Sequence, residues 1–258
     1  MIADEQNPST PAQAVFAERA TTYVRSACHR EPAVLRRIVA QAAPQKDWIA
    51  LDIGTGTGHT AFALAPYVAA VIGVDVTPEM LAEARRVHGS EHTGAAVRFC
   101  LADAQDLPFP EGSFNLITCR RAAHHFPRVR RAVAEMARLL VDGGRLVIDD
   151  RSVPEDDFID ELMNELDTCH DRSHVRQYRP SEWYRLLSEQ DFVVESVELY
   201  VRHRPLSALT LGVCDYDATL IRDRLEALDS FQRKRIRYEL VDGEPHLNHW
   251  YVLVTAHL

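Results

Sequence analysis

The sequence predicts an α/β fold: a doubly wound, mostly parallel sheet covered by helices on both faces. Two observations carry this. Short apolar runs alternate with amphipathic helical stretches between residues 48 and 150, and the first run passes straight into a glycine-rich turn and a helix. A third sets the scale, because 258 residues, 46% of them apolar, suffice for one large core.

Taken in order, residues 11–27 and 31–43 space apolar side chains three and four apart, so two helices precede the first strand. WIALDI (48–53) reads as a buried strand, followed by GTGTG and the helix HTAFALAPYV. Strands at 69–75, 96–102, 114–119 and 144–150 follow, with helices at 78–88 and 129–140 between them. Turn chemistry at 110–113 and 141–144 separates the later elements. Beyond Asp150 the spacing predicts helices at 155–169, 180–190 and 217–237 and strands at 192–201 and 249–257. Residues 154–187 and 205–245 are then insertions expected to cover the ligand-binding edge.

Lys plus Arg number 29 against 38 Asp plus Glu, a net charge of −9, so the chain lacks the diffuse basic field on which nucleic-acid binders rely. No nucleic-acid partner is expected. The polar N-terminus has no apolar leader core and no run reaches membrane-spanning length, which predicts a cytoplasmic protein. Five scattered cysteines without a CxxC pair argue against a disulfide framework or a zinc ribbon. Cys169-His170 with His174, and His246 with His249, supply no full ligand set locally, so no metal is expected.

The turn Asp52-Ile53-Gly54-Thr55-Gly56-Thr57-Gly58 stands where open α/β sheets bind ligands. Its glycines admit close backbone approach, and the following helix offers amides to a pyrophosphate or a carboxylate. The spacing is G-x-G-x-G, with His59 where a dinucleotide fingerprint has its third glycine, which weakens a nicotinamide reading. Asp75 ends the second strand, 21 residues after Gly54, placed to accept both ribose hydroxyls. Asp103 ends the third strand and can accept from an adenine amino group. Both aspartates could alternatively cap the segments that follow them.

LDIGTGTGHT (51–60), VIGVDVTPEMLAEAR (71–85), VRFCLADAQDLPFPEGSFNLITCRRAAHHF (97–126) and ARLLVDGGRLVIDD (137–150) together resemble the class I S-adenosylmethionine-dependent methyltransferases. The branch they look like is that of the menaquinone/ubiquinone biosynthesis enzymes. FAERATTYVRSACH (16–29) and DRSHVRQYRPSEWYRLL (171–187) are similar to a bacterial subgroup of it. The resemblance implies a Rossmann-like seven-stranded sheet in one domain: an N-terminal helical lid (1–46), a cofactor-binding core (47–150), then insertions with the last two strands (151–258). It also implies S-adenosylmethionine as cofactor and S-adenosylhomocysteine as product. Asp52 with the Gly54, Thr55, Gly56 and Gly58 backbone would hold the methionine part, Asp75 the ribose, and Val76 with Met80 the adenine face. Asp103 and Ala104 would take the adenine edge, Arg120 would line the methionine side, and Tyr23 would fold over from the lid. Met80 and Tyr23 could equally be packing residues.

Methyl transfer needs alignment of acceptor and methyl rather than a side-chain nucleophile, although a base helps a hydroxyl or acidic carbon. His124 is the first candidate, ahead of His125, His29 and His174; a structural role for the His-His pair is the rival reading. Arg121, Arg172 and Arg176 could grip an anionic acceptor, or simply form ion pairs. Tyr23, Phe126, Tyr178, Trp183 and Tyr216 suggest a partly apolar or aromatic small-molecule acceptor, such as a quinone or secondary metabolite. The alternative is a cofactor-binding protein of this fold, regulatory or a cyclase, that transfers no methyl.

Overall fold

The computed structural model describes residue 13 and residues 31–88 and 96–258. The first expected helix, apart from Gln13, lies outside them, as do Tyr23 and His29.

Helix α1 (Pro32–Ala42) starts on a proline, whose fixed φ suits a first helical position, and ends on Ala43 in the left-handed region. Strand β1 (Ile49–Ile53), helix α2 (His59–Leu64), β2 (Ala70–Asp75), α3 (Pro78–His88) and β3 (Ala96–Leu101) follow as two βα units and a strand. Next come β4 (Phe114–Arg120), α4 (Val129–Leu139) and β5 (Leu140–Ser152). The second half contributes α5 (Asp157–His170), α6 (Pro180–Ser188), β6 (Val193–Pro205), α7 (Ser207–Thr210), α8 (Asp215–Glu226), α9 (Ser230–Arg235), β7 (Glu239–Val241) and β8 (Glu244–His257).

The sheet runs β3-β2-β1-β4-β5-β8-β6, parallel from β3 to β5, with β8 antiparallel to both its neighbours. β7 is an eighth strand, paired with β8 through the turn Asp242-Gly243. Both turn residues have positive φ, 52° and 83°, the geometry that Asp-Gly favours in a two-residue hairpin. Strand order reverses between β1 and β4, so a crevice opens at their carboxyl ends.

Alternation along the strands divides the core. Ala50, Val71, Leu116, Val147 and Leu253 face α1 and α2, while Leu51, Ile53, Ile117, Ile148 and Val254 face α4 and α6. Each fully buried aliphatic side chain contributes about 1.5–3 kcal/mol, so a two-faced apolar strand is held in register from both sides. Helix α1 therefore packs on a sheet face and supplies no residue to the crevice, unlike the lid expected for residues 1–46.

Residues 205–245 also depart from expectation. They form a satellite core in which Leu209, Ile221, Leu225 and Ile236 pack against Leu162 and Leu166 of α5 and Leu247 and Trp250 of β8. None of residues 205–245 lines the crevice. The single helix expected at 217–237 is two, because Asp229 forms a capping box with Gln232 that starts α9 afresh. Among the described residues, no helix is long and apolar enough to cross a membrane.

Candidate functional site

The carboxyl ends of β1 to β4 enclose a cavity of about 220 Å³, roofed by residues 172–175. Gly54, Thr55, Gly56, Asp75, Val76, Met80, Asp103, Ala104 and Arg120 line it. All but Met80, which sits in the first turn of α3, come from a strand end or the turn after it, where the backbone leaves the ladder and side chains of successive strands converge.

The β1–α2 turn is tied to β2. Thr55 N donates to the Val74 carbonyl and Gly56 N to Asp75 Oδ2, each at 2.9 Å. Gly54 has φ +64°, and a Cβ there would lie 2.3 Å from the Ala122 Cβ, so the turn and the segment after β4 touch only through glycine. Asp75 Oδ1 also accepts from Thr77 N at 2.9 Å. Its pKa is raised by burial against the pull of these amides, and its carboxylate retains acceptor capacity beyond two bonds. Asp103 accepts from the Gln105 amide and side chain. Gln105, unremarked in the sequence, also lines the cavity and accepts from Arg128 N, so it fixes Asp103 to the start of α4. From the N-terminal segment, Gln13 donates to the Val76 carbonyl at 2.9 Å, at the cavity edge.

Three expected residues stand behind the wall. Asp52, 1% exposed, accepts from the Thr55 and Thr118 hydroxyls at 2.7 and 2.8 Å; burial pushes its pKa up to about 6. It braces the turn rather than facing the cavity. Gly58 caps α2 in the left-handed region at φ +88° and is also set back. His124 is the third: its ring Nδ1 lies 2.5 Å from Asp150 Oδ1 and its N–H donates to Asp150 Oδ2. Burial first, then the Arg151 charge, lowers its pKa to about 3. Its carbonyl accepts from Val175 N and Arg176 N, so His124 anchors the roof to β5.

The imidazoles that reach the wall are His59, on the first turn of α2, and His125 and His174 on the opposite side. His125 Nδ1 is 3.2 Å from the Ser173 carbonyl and 3.0 Å from its hydroxyl, which donates onward to Asp171. A carbonyl only accepts, so Nδ1 carries the proton. Arg120 donates to Thr60 Oγ1, and burial lowers its pKa.

Neighbouring arginines are engaged as ion pairs. Arg121, strained at φ +53°, holds Asp149 at 3.2 Å and lies 3.9 Å over the Tyr251 ring. Arg172 pairs with Asp217, and Arg176 with Asp160 and Glu182. Of the aromatics expected around an acceptor, Phe126 lines the cavity. Trp183 is on the buried face of α6 against Tyr178, and Tyr216 is 70% exposed on α8. Aromatic residues on amphipathic helices pack into the core as readily as they line sites, and sequence does not separate the two.

Residues 51–148 match the model of a family described as a methyltransferase domain. The uncharacterised methyltransferase YcgJ of Bacillus subtilis is 40% identical over 71% of this chain and 72% of its own. The crystal structure of the B. subtilis YcgJ protein superposes with a TM-score of 0.81, covering 86% of this chain and 97% of that one, at 34% identity. A demethylmenaquinone methyltransferase of Thermus thermophilus is 42% identical over 44% of this chain and 51% of its own. With the glycine turn, the paired strand-end aspartates and the β3-β2-β1-β4-β5-β8-β6 order already in place, the chain belongs to the class I S-adenosylmethionine-dependent methyltransferases.

Proposed function

We propose that this methyltransferase moves the methyl group to an oxygen or carbon of a small, partly apolar acceptor, with S-adenosylmethionine held across three successive strand ends. One observation carries the cofactor placement: the β1–α2 turn, Asp75 and Asp103 with Ala104 face one continuous cavity. Asp75 accepts from the ribose hydroxyls, Asp103 and Ala104 meet the adenine edge, and Val76 and Met80 supply its apolar face. The Gly54–Gly56 backbone and Arg120 bound the methionine end, while Asp52 and Gly58 shape the turn from behind. The cofactor supplies an activated methyl and its own leaving group, so the chain's work is to orient the acceptor and exclude water.

Of the three imidazoles on the wall, His125, whose Nδ1 is held protonated against Ser173, is the one assigned to meet an acceptor proton, because it adjoins Phe126 and the roof. Phe126 and the enclosed roof favour an apolar or aromatic acceptor such as a quinone, in keeping with the menaquinone enzymes among its relatives.

The test is incubation with S-adenosylmethionine and a panel of quinols and phenols, with S-adenosylhomocysteine read by mass spectrometry. Acceptor-dependent product is expected, with S-adenosylhomocysteine raising the melting temperature of the protein. Stabilisation without turnover on any acceptor would favour a cofactor-binding protein instead, and stabilisation by NAD alone would overturn the cofactor assignment.

A further inference from the structure

A second cleft, of about 500 Å³, opens between the start of α4 and helix α6, and Pro127 belongs to the walls of both this cleft and the cofactor cavity. Four arginines line it, Arg128, Arg130 and Arg131 on one side and Arg185 on the other, with Tyr178 between them. The acidic residue in its lining is Glu182, which already pairs with Arg176 and accepts from Arg179 N.

This concentration of positive charge stands on a chain of net charge −9. It also stands in the wrong place for stability. The first turn of α4 contains no acidic residue, and the helix N-terminus, itself the positive end of the dipole, carries three cations instead. A local choice that opposes the fold's own electrostatics points to a role other than folding. The acidic partners present are exposed ones that exchange readily: Arg130 meets Glu189, and Arg131 meets Asp106 at 3.5 Å while its Nε donates to the Gln105 carbonyl at 2.6 Å. Arg128 donates to the neutral Gln105 side chain, and among the described residues no carboxylate pairs with Arg128 or Arg185.

We propose that this cleft receives a phosphate group on the tail of the methyl acceptor, whose reacting end enters the cofactor cavity past Pro127. The inference rests on the acceptor reading above and narrows it to phosphorylated molecules with an apolar or aromatic body. Guanidinium forks on facing walls suit a tetrahedral, doubly charged group, and the half-buried Tyr178 ring offers a flat surface to the portion that joins tail to body.

Isothermal titration with phenyl phosphate and with inorganic phosphate, both at saturating S-adenosylhomocysteine, tests it. Phenyl phosphate should bind about tenfold more tightly than inorganic phosphate, since the ring adds contact with Tyr178. The exposed pair Arg130→Gln/Arg185→Gln should weaken phenyl phosphate by about tenfold or more, with S-adenosylhomocysteine affinity and melting temperature unchanged. Arg185→Glu alone should do the same. Undetectable binding of phenyl phosphate, or equal binding by wild type and variants, overturns the proposal. Equal affinity for the two probes overturns the tail in favour of a free-phosphate site. Failure of S-adenosylhomocysteine to bind while phenyl phosphate still does would strike the cofactor assignment and leave the cleft standing.

Discussion

At the scale of single residues, two buried polar side chains, Asp75 and His124, separate by what they touch. Asp75 faces the cavity while accepting two backbone amides. Asp75→Ala should weaken S-adenosylhomocysteine binding by at least about tenfold in calorimetry, because charge-assisted bonds to two hydroxyls are lost. Unchanged affinity in a folded variant would remove the ribose contact. His124 presents the opposite case, because its ring and amide are spent on Asp150 and its carbonyl on the roof. His124→Ala should destabilise the fold by about 2 kcal/mol in urea titration, the cost of removing the ring donor from a buried carboxylate that keeps only the amides of residues 124 and 151. His125→Ala should instead reduce turnover with little loss of stability. The two effects exchanged between the variants would restore His124 as the functional imidazole.

Among the elements, the turn between β1 and α2 is the most constrained. Gly54→Ala places a methyl on the Ala122 Cβ and asks a non-glycine residue to hold φ +64°, so the turn must shift away from the segment after β4. Loss of S-adenosylhomocysteine affinity together with a fall in melting temperature is expected by thermal shift; a variant that binds normally would show that the contact yields. This turn was legible in the sequence because its determinants are contiguous, as were Asp75 and Asp103, each set by the end of its own strand. The choice between His124 and His125 was not. It depends on Asp150 and on Ser173, 26 and 48 residues away, and no local pattern records which ring turns inward. The same reason hid Gln105, whose partner Arg128 lies 23 residues on. The break at Asp229 and the hairpin at Asp242-Gly243 did carry local signals, a capping box and an Asp-Gly turn. The helical period across 217–237 outweighed the first. The apolar faces of 205–245 gave no indication whether they meet a ligand or α5.

For the whole molecule, the buried imidazoles between β5, α5 and the roof set the response to acid. Burial holds His124 at about 3 and His174 at about 4, against an ordinary value of 6.5, and lowers His125 as well. Below pH 6.5 the unfolded chain takes up protons at these positions that the folded chain refuses, so stability falls as pH drops through that window. Asp52, pushed by burial up to about 6 from 3.8, acts in the opposite sense, as does the raised Asp150. Between pH 3.8 and 6 the folded chain binds protons there more readily than the unfolded chain does. Burial also raises Asp75 and lowers His170 and His249, so five histidines outweigh three aspartates, and between pH 6.5 and 6 the histidines act with little opposition. The urea midpoint should therefore hold level above about pH 7 and decline steadily from pH 6.5 toward 5. His124→Ala should flatten that decline, since it removes one of the groups that refuses a proton. A midpoint that rises toward pH 5 would mean that the buried carboxylates, and not the imidazole cluster behind the roof, govern the acid limb.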